Sequence, residues 1–434
     1  MLTLKLKSFL LLCFIGLWLT ACDKSSNFDW TILVYLDGDN DLAQANLRDM
    51  AEMANGSVSE RLRILVQLDL PDSTPAKRYE IKEGKTSLIA DIGEVDMSAQ
   101  NTLYDFLVWA KKQDVENSKY LMLVLSDHGA GWDQHAGPSP AEKVSNRALF
   151  VDWDSQGQGK NIPVLHNHRV RDAILESNLP IDILGLDASI MGTIEAIYEF
   201  SDLAEIIISS QEVGYAEGWD YEDIFKKLSV DSSISPNSFA EIIVNSYRDY
   251  FEKGLYIDSF SNDQSYSIAA HRSEKIQAVV DEIDQLAQVW QERLLIGDTN
   301  ALSEMQAMRF NVQEIDPATQ FGVYIDLKDM MHKLDASSNI PNLIDEATLY
   351  EYHGKDRPSA NGLSIVFFQP EDAWAWGTCD PSYKDWDAET ETGNKGKFIN
   401  QTQWNEMLAS YYAAIVPTLS DFDSKHPCNA LFES

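Results

Sequence analysis

The sequence is short of cationic residues: 34 Lys and Arg stand against 69 Asp and Glu in 434 positions, a formal net charge of -35. That deficit argues against nucleic acid or an anionic lipid surface as a partner, since both would repel the chain over a Debye length of about 8–10 Å. It permits a partner with basic side chains. Cysteine is scarce, at four. No internal repeat and no low-complexity linker interrupts the chain. A Gly-x-Ser-x-Gly elbow is missing as well. Its nearest approximation, Gly362-Leu363-Ser364-Ile365-Val366, lacks the closing glycine, so no serine-hydrolase turn is signalled there. Metal-ligand spacing is thin. His166 and His168 are two apart without a Cys or Glu-rich motif, which excludes a zinc site of ordinary spacing. "DGDND" at Asp37–Asp41 begins like a calcium loop but has Leu42 where glycine is required and Arg48 at the last ligand position. "DWDSQGQGKNIP" from Asp152 places Gly157 correctly and ends on Pro163. No metal or other cofactor is therefore expected, with calcium the nearest candidate.

What is present begins with the N-terminus. Lys5 and Lys7 precede an apolar stretch from Ser8 to Leu19, followed by Leu19-Thr20-Ala21-Cys22. This is the layout of a secretory signal, too short to be a membrane span. The last four residues resemble the lipobox of bacterial lipoproteins, which implies removal of residues 1–21 and a lipidated Cys22. Residues 22–29 are then a tether that holds the body, residues 30–434, to a membrane of the bacterial cell envelope. Cys13 leaves with the signal, so the body keeps Cys379 and Cys428. In an oxidising compartment that pair is expected to form a disulfide pinning the C-terminal extension.

From Trp30 onward, apolar strand-like runs alternate with amphipathic helix-like ones. "WTILVYLDG", "LRILVQLDL", "KYLMLVLSDHG", "IDILGLDAS" and "AEIIISSQEV" read as buried strands, and a hairpin with Gly84 in its turn is expected near "EIKEGKTSL". "IMGTIEAIYEFSDL" reads as a helix that directly follows Ser189, and "GLSIVFFQP", Gly362–Pro370, as a further strand of the same architecture. Such alternation predicts an α/β fold with a mainly parallel central sheet covered by helices on both faces. Sites in such sheets lie beyond the carboxyl ends of the strands. The loop from Gly129 to His166 is too long to be a default connection.

Two of those ends carry reactive groups: Ser126-Asp127-His128-Gly129 and Asp187-Ala188-Ser189. A histidine and a hydroxyl there could form a base and nucleophile pair. Ser189 is equally a good N-cap for the helix expected after it. Asp187 and Ser189, two apart on a strand, project to one side, whereas Asp127 points away from His128.

"WTILVYLDGDNDL", "LMLVLSDHGAGW", "LDASIMGTIEAIYEF", "SSQEVGYAEGWDY" and "NGLSIVFFQP" resemble the successive blocks of the clostripain (C11) peptidases, which have the caspase-like fold. The resemblance implies that His128 is the general base, followed by Gly129, and that Ser189 occupies the place of the nucleophilic cysteine in an Asp-Ala-Cys-x-Met context. It implies cleavage after Arg or Lys, with Asp187 in the first subsite and Glu217 in a block lining the same pocket. Family members often mature by cleavage after a basic residue in the loop that here holds Lys143 and Arg147; without a competent nucleophile, self-cleavage is not expected in this chain. A thiol with a pKa of about 8.5 is strongly nucleophilic, whereas a hydroxyl needs a well-oriented base, and losing the group that orients it costs a serine triad about 10⁴ in turnover. The expectation is an exported relative of Arg/Lys-specific endopeptidases that binds basic peptides and is catalytically impaired. The alternatives are a working hydrolase with a Ser189–His128 dyad, or a structural envelope lipoprotein.

Overall fold

The computed structural model describes residues 27–71, 74–129, 131, 149–152, 164–254, 264–315, 324–369 and 396–415. Cys22, Lys143, Arg147, Cys379 and Cys428 lie outside the described residues.

The first half of the chain runs β1 (Trp30–Asp37), α1 (Ala43–Gly56), β2 (Leu62–Leu70), β3 (Thr74–Lys82), β4 (Lys85–Gly93), α2 (Gln100–Lys112) and β5 (Tyr120–Ser126). Then come the short pair β6 (Phe150–Val151) and β7 (Val164–Leu165), α3 (Asn167–Ser177), β8 (Ile181–Asp187), α4 (Ile194–Phe200) and β9 (Ala204–Ser209). α5 (Tyr221–Val230), α6 (Pro236–Glu252), β10 (Ser267–Arg272), α7 (Ser273–Leu295) and α8 (Thr299–Asn311) follow. The remainder is β11 (Glu314–Ile315), β12 (Tyr324–Asp326), α9 (Leu327–Leu334), α10 (Ile340–Ala347), β13 (Thr348–His353), β14 (Ser364–Val366), α11 (Lys397–Gln401) and α12 (Trp404–Ile415).

One nine-stranded sheet has the order β13-β10-β9-β8-β5-β1-β2-β3-β4. Its centre, β2-β1-β5-β8-β9, is parallel, and the edges are antiparallel. The expected hairpin is β3–β4, with Glu83 and Gly84 both at positive φ in its turn, as a two-residue hairpin turn requires. The unbroken apolar strands are explained by burial on both faces. Leu33, Tyr35, Leu123, Leu125, Leu184 and Leu186 pack under α2, α3, α7 and α12 through residues such as Phe106, Ile174, Ile276 and Trp404. The alternate residues Ile32, Val34, Met122, Val124 and Ile183 face α1, α5 and α6 through Met53, Phe225 and Ile243. Period-2 alternation thus divides one run of side chains between two cores.

Register fixes the site. Leu36 pairs with Ser126, and Ser126 with Asp187, so the carboxyl ends of β1, β5 and β8 stand level. The residues that follow each strand emerge on one rim.

Two details differ from the sequence pattern. The run from Gly362 to Pro370 does not join the main sheet: only Ser364–Val366 is a strand, paired to β12 in a separate three-stranded sheet. Side chains satisfy the neighbouring backbone instead. The Val366 amide donates to Glu195, its carbonyl accepts from Trp404 Nε1, and the Phe367 carbonyl accepts from Arg309 Nε at 2.8 Å. The helix after β8 also starts later than expected, at Ile194. Its N-cap is Thr193, whose Oγ1 accepts from the Ala196 amide. Ile190 stands at φ 62, outside the helical region, and Ser189 Oγ accepts from the Gly214 amide and not from an amide of the turn that follows it; the amides of Ile190 and Gly192 bond to the carbonyls of Glu212 and Ser210, at 3.0 and 2.7 Å. Ser189 is not a cap.

That distinction is measurable by urea denaturation. Thr193→Ala is expected to lower stability by about 1–2 kcal/mol, the loss of a side-chain cap. Ser189→Ala, which removes no cap, is expected to stay within about 0.5 kcal/mol of the native chain.

Candidate active site

The turn Ala188–Thr193 is strung between two neighbouring strand ends. The Ser189 amide donates to the His128 carbonyl at 2.8 Å, beyond β5, while Ile190 and Gly192 are tied to the segment beyond β9. Ile190 is held at φ 62, a left-handed conformation that strains a β-branched residue by about 1–3 kcal/mol. The backbone bonds on either side hold it there. Gly129 packs against the turn so closely that a Cβ would lie 2.4 Å from the Ser189 carbonyl oxygen, and its φ is +74. Only glycine fits that position.

His128, Asp187 and Ser189 line one cleft with a cavity of about 170 Å³, together with Asn46, Asp49 and Gly214. The structure therefore brings together the expected base, nucleophile position and acidic subsite residue, with Gly129 directly behind. Glu217 does not line this cleft, although its neighbours Ala216 and Gly218 do. It lies toward Tyr250, and its Oε2 is buried without a hydrogen-bond partner.

Ser189 Oγ accepts from the Gly214 amide at 3.0 Å. Among the described residues that is its hydrogen bond, and the imidazole of His128 is not a partner. His128 Nε2 sits 2.9 Å from Asp41 Oδ1. A carboxylate aligning the histidine was not expected; it comes from the loop after β1, inside the stretch that reads as a failed calcium loop. Asp127, as expected, serves elsewhere, with Oδ1 accepting from Asn40 Nδ2 at 2.9 Å. Burial draws the His128 pKa down, but the hydrogen bond to Asp41 and the charges of Asp127 and Asp41 outweigh it, so the imidazole titrates above the usual histidine value. The same bond holds Asp41 below the usual carboxylate value.

Asp187 is half-buried. Its Oδ2 accepts from Tyr221 OH at 2.7 Å and from the Trp219 amide at 3.3 Å. Desolvation raises it to about 6, against the lowering effect of those bonds. Asp49, on α1, was missed by sequence reading. It is 5% exposed and lines the same cleft. Burial first, then the charges of Asp187 and Glu52, push its pKa well up. One signal was available: Asp49 stands at helical spacing from Ala45 and Met53 on the buried stripe of α1.

Behind the rim, Asp37 and Asp69 are wholly buried, each with one carboxylate oxygen lacking a partner. Desolvation is the main cause that raises both, Asp69 to about 8. No group of three or more His, Cys, Asp or Glu among the described residues is arranged to hold a metal ion. Asp152 accepts from the Met97 amide at 2.8 Å, and the His166 and His168 rings stack at 5.8 Å.

Two titrations follow. The His128 resonance in an NMR pH series is expected to have its midpoint above the ordinary imidazole value of about 6.5, and Asp41→Asn to lower it; an unchanged midpoint would overturn the role given to Asp41. For Asp69, a folded pKa above the unfolded one means stability that is full below about pH 4 and lost as pH rises toward 8. Asp69→Asn should therefore raise the melting temperature relative to the native chain more at pH 8 than at pH 5.

The clostripain family model matches residues 34–411. Clostripain from Hathewaya histolytica is 23% identical over 413 residues, covering 79% of this chain and 75% of that protein. Among solved structures, a secreted C11 cysteine protease from Bacteroides thetaiotaomicron, in complex with an irreversible peptide inhibitor, superposes with a TM-score of 0.61 at 17% identity. It covers 88% of this chain and 98% of that one. An inactive zymogen C11 protease from Parabacteroides distasonis gives 0.56 at 18%, covering 81% and 96%. With the family match spanning most of the chain and the central sheet shared with those proteases, this protein belongs to the clostripain family and has its caspase-like α/β fold.

Proposed function

We propose that the protein recognises basic side chains of peptides or proteins in the cleft below Ser189 and is impaired in cutting them. The observation that carries this reading is that nucleophile position and base are not hydrogen-bonded to each other: His128 Nε2 is on Asp41 Oδ1, and Ser189 Oγ accepts from the Gly214 amide. A thiol of pKa near 8.5 is strongly nucleophilic even when only partly ionised. A serine hydroxyl must pass its proton to a base within hydrogen-bond reach as it attacks.

The substrate class rests on Asp187, an acidic group in the same cavity as His128 and Ser189. Export and lipid anchoring through Cys22 to a bacterial cell-envelope membrane belong to the same proposal. They are supported by the N-terminal sequence and by secretion of the C11 protease from Bacteroides thetaiotaomicron.

A second reading, a working serine hydrolase, is favoured by the Asp41 carboxylate on His128, since a carboxylate on the imidazole is what a serine nucleophile requires. One assay separates the two. Against Arg- and Lys-ended amide substrates, Ser189→Cys is expected to turn over at least about 10²-fold faster than the native chain, the low end of what positioned proton transfer contributes. His128→Ala in that background should abolish the gain. Comparable native turnover, lost on His128→Ala alone, would establish the hydrolase.

A further inference from the structure

The cleft holds a second carboxylate whose place is not explained by packing. Asp49 is 5% exposed, yet it accepts no hydrogen bond and forms no ion pair among the described residues. A buried carboxyl group ordinarily finds such a partner, and one without it is costly to keep. The other acidic groups that line this cavity, and Asp41 on the imidazole, each have a hydrogen-bonded partner. Asp187 is held by Tyr221 and Trp219, Asp41 by His128, and Asp127 by Asn40. Asp49 alone among the acidic residues lining this cavity faces it with no hydrogen-bonded partner. One turn earlier on the same face, Asn46 is 2% exposed and its Nδ2 also lacks a partner.

The surroundings narrow the occupant. Asp187, at the end of β8, acts electrostatically on Asp49, and Tyr221 on α5 feels both carboxylates. When ionised, two carboxylates over one cavity repel each other. A neutral donor placed between them supplies hydrogen bonds and leaves that repulsion uncompensated, and an anionic group adds to it. A cationic group supplies the hydrogen bonds and offsets the repulsion together, through charge-assisted contacts. The cavity, about 170 Å³, is of a size with one extended side chain.

We propose that Asp49 is a specificity-determining residue of the cleft, forming with Asp187 a two-carboxylate floor that receives the cationic end of an Arg or Lys side chain. This rests on the proposed recognition of basic side chains and names the residue that reads the charge. Asp187, with Oδ2 already accepting from Tyr221 and the Trp219 amide, positions the cation. Asp49 supplies the acceptor oxygens that nothing in the protein uses.

The test is equilibrium binding to the full chain with native Ser189, followed by fluorescence anisotropy of two labelled peptides that end in arginine amide or in citrulline amide. These have nearly the same shape and differ in charge. The native chain is expected to favour the arginine peptide at least about tenfold, and Asp49→Asn to reduce that ratio about tenfold with citrulline affinity unchanged, in the range set by one charge-assisted hydrogen bond. Because the readout is a ratio, a partly unfolded preparation lowers both affinities and leaves it intact. Asp49→Ser serves as a second variant should the amide misfold. If both Asp49 variants keep the native ratio while Asp187→Asn loses it, Asp49 is a spectator and the proposal falls, with the recognition of basic side chains left standing. If the native chain binds both peptides alike, that recognition itself fails and this proposal with it.

Discussion

The hydrogen bond from the Ser189 amide to the His128 carbonyl is the constraint on which the site depends. It welds the chain beyond β8 to the chain beyond β5, and it closes only because Gly129 has no side chain to hold the two apart. Everything reactive is placed by it. The imidazole and the Ser189 side chain are set at the mouth of one cavity because their backbones share this bond. The register of β1, β5 and β8 supplies the level rim from which the bond can form. A turn held in this way tolerates a left-handed Ile190, since bonds to Glu212 and Ser210 fix its neighbourhood.

The second theme is acidity out of water. Asp37, Asp69, Asp49 and Asp187 lie at or behind the carboxyl ends of the central strands, and burial raises the pKa of each. The acidic residues of the chain are therefore not all part of a solvated coat: some are buried, and Asp49 and Asp187 line the cleft. In a medium of low dielectric such groups act on a bound cation far more strongly than surface carboxylates would. The same burial makes them destabilising while the cleft is empty.

Much of the fold was legible because it follows from local pattern. Continuous apolar runs ending in Asp or Ser marked β1, β5 and β8, and the alternation with helices announced a parallel sheet with both faces covered. Glu83-Gly84 placed the β3–β4 hairpin. What escaped depended on contacts distant in sequence. The run through Phe367 looks like a core strand, but its backbone is claimed by Arg309, Glu195 and Trp404, partners that no window around it contains. Ser189 looks like a cap until Ile190 is seen in the left-handed region and the Ser189 hydroxyl on the Gly214 amide. Asp41 could not be assigned to His128 from a motif that reads as metal-binding. Asp187 was found because it shares a strand end with Ser189; Asp49 was not, because it reaches the cleft from another element.

The state of this cleft bears on whether a chain without the sulfur is an inert scaffold. A hydroxyl at position 189 gives up its proton far less readily than a thiol would. The carboxylates are different. Asp49, nearly buried and without a hydrogen-bond partner among the described residues, costs the folded state a desolvation penalty in its ionised form that a neutral amide of the same shape would carry only in smaller measure. Ser189, from the turn after β8, and Asp49, from α1, reach one cavity from different elements, so the residue at the nucleophile position and the acidic lining are set independently of each other.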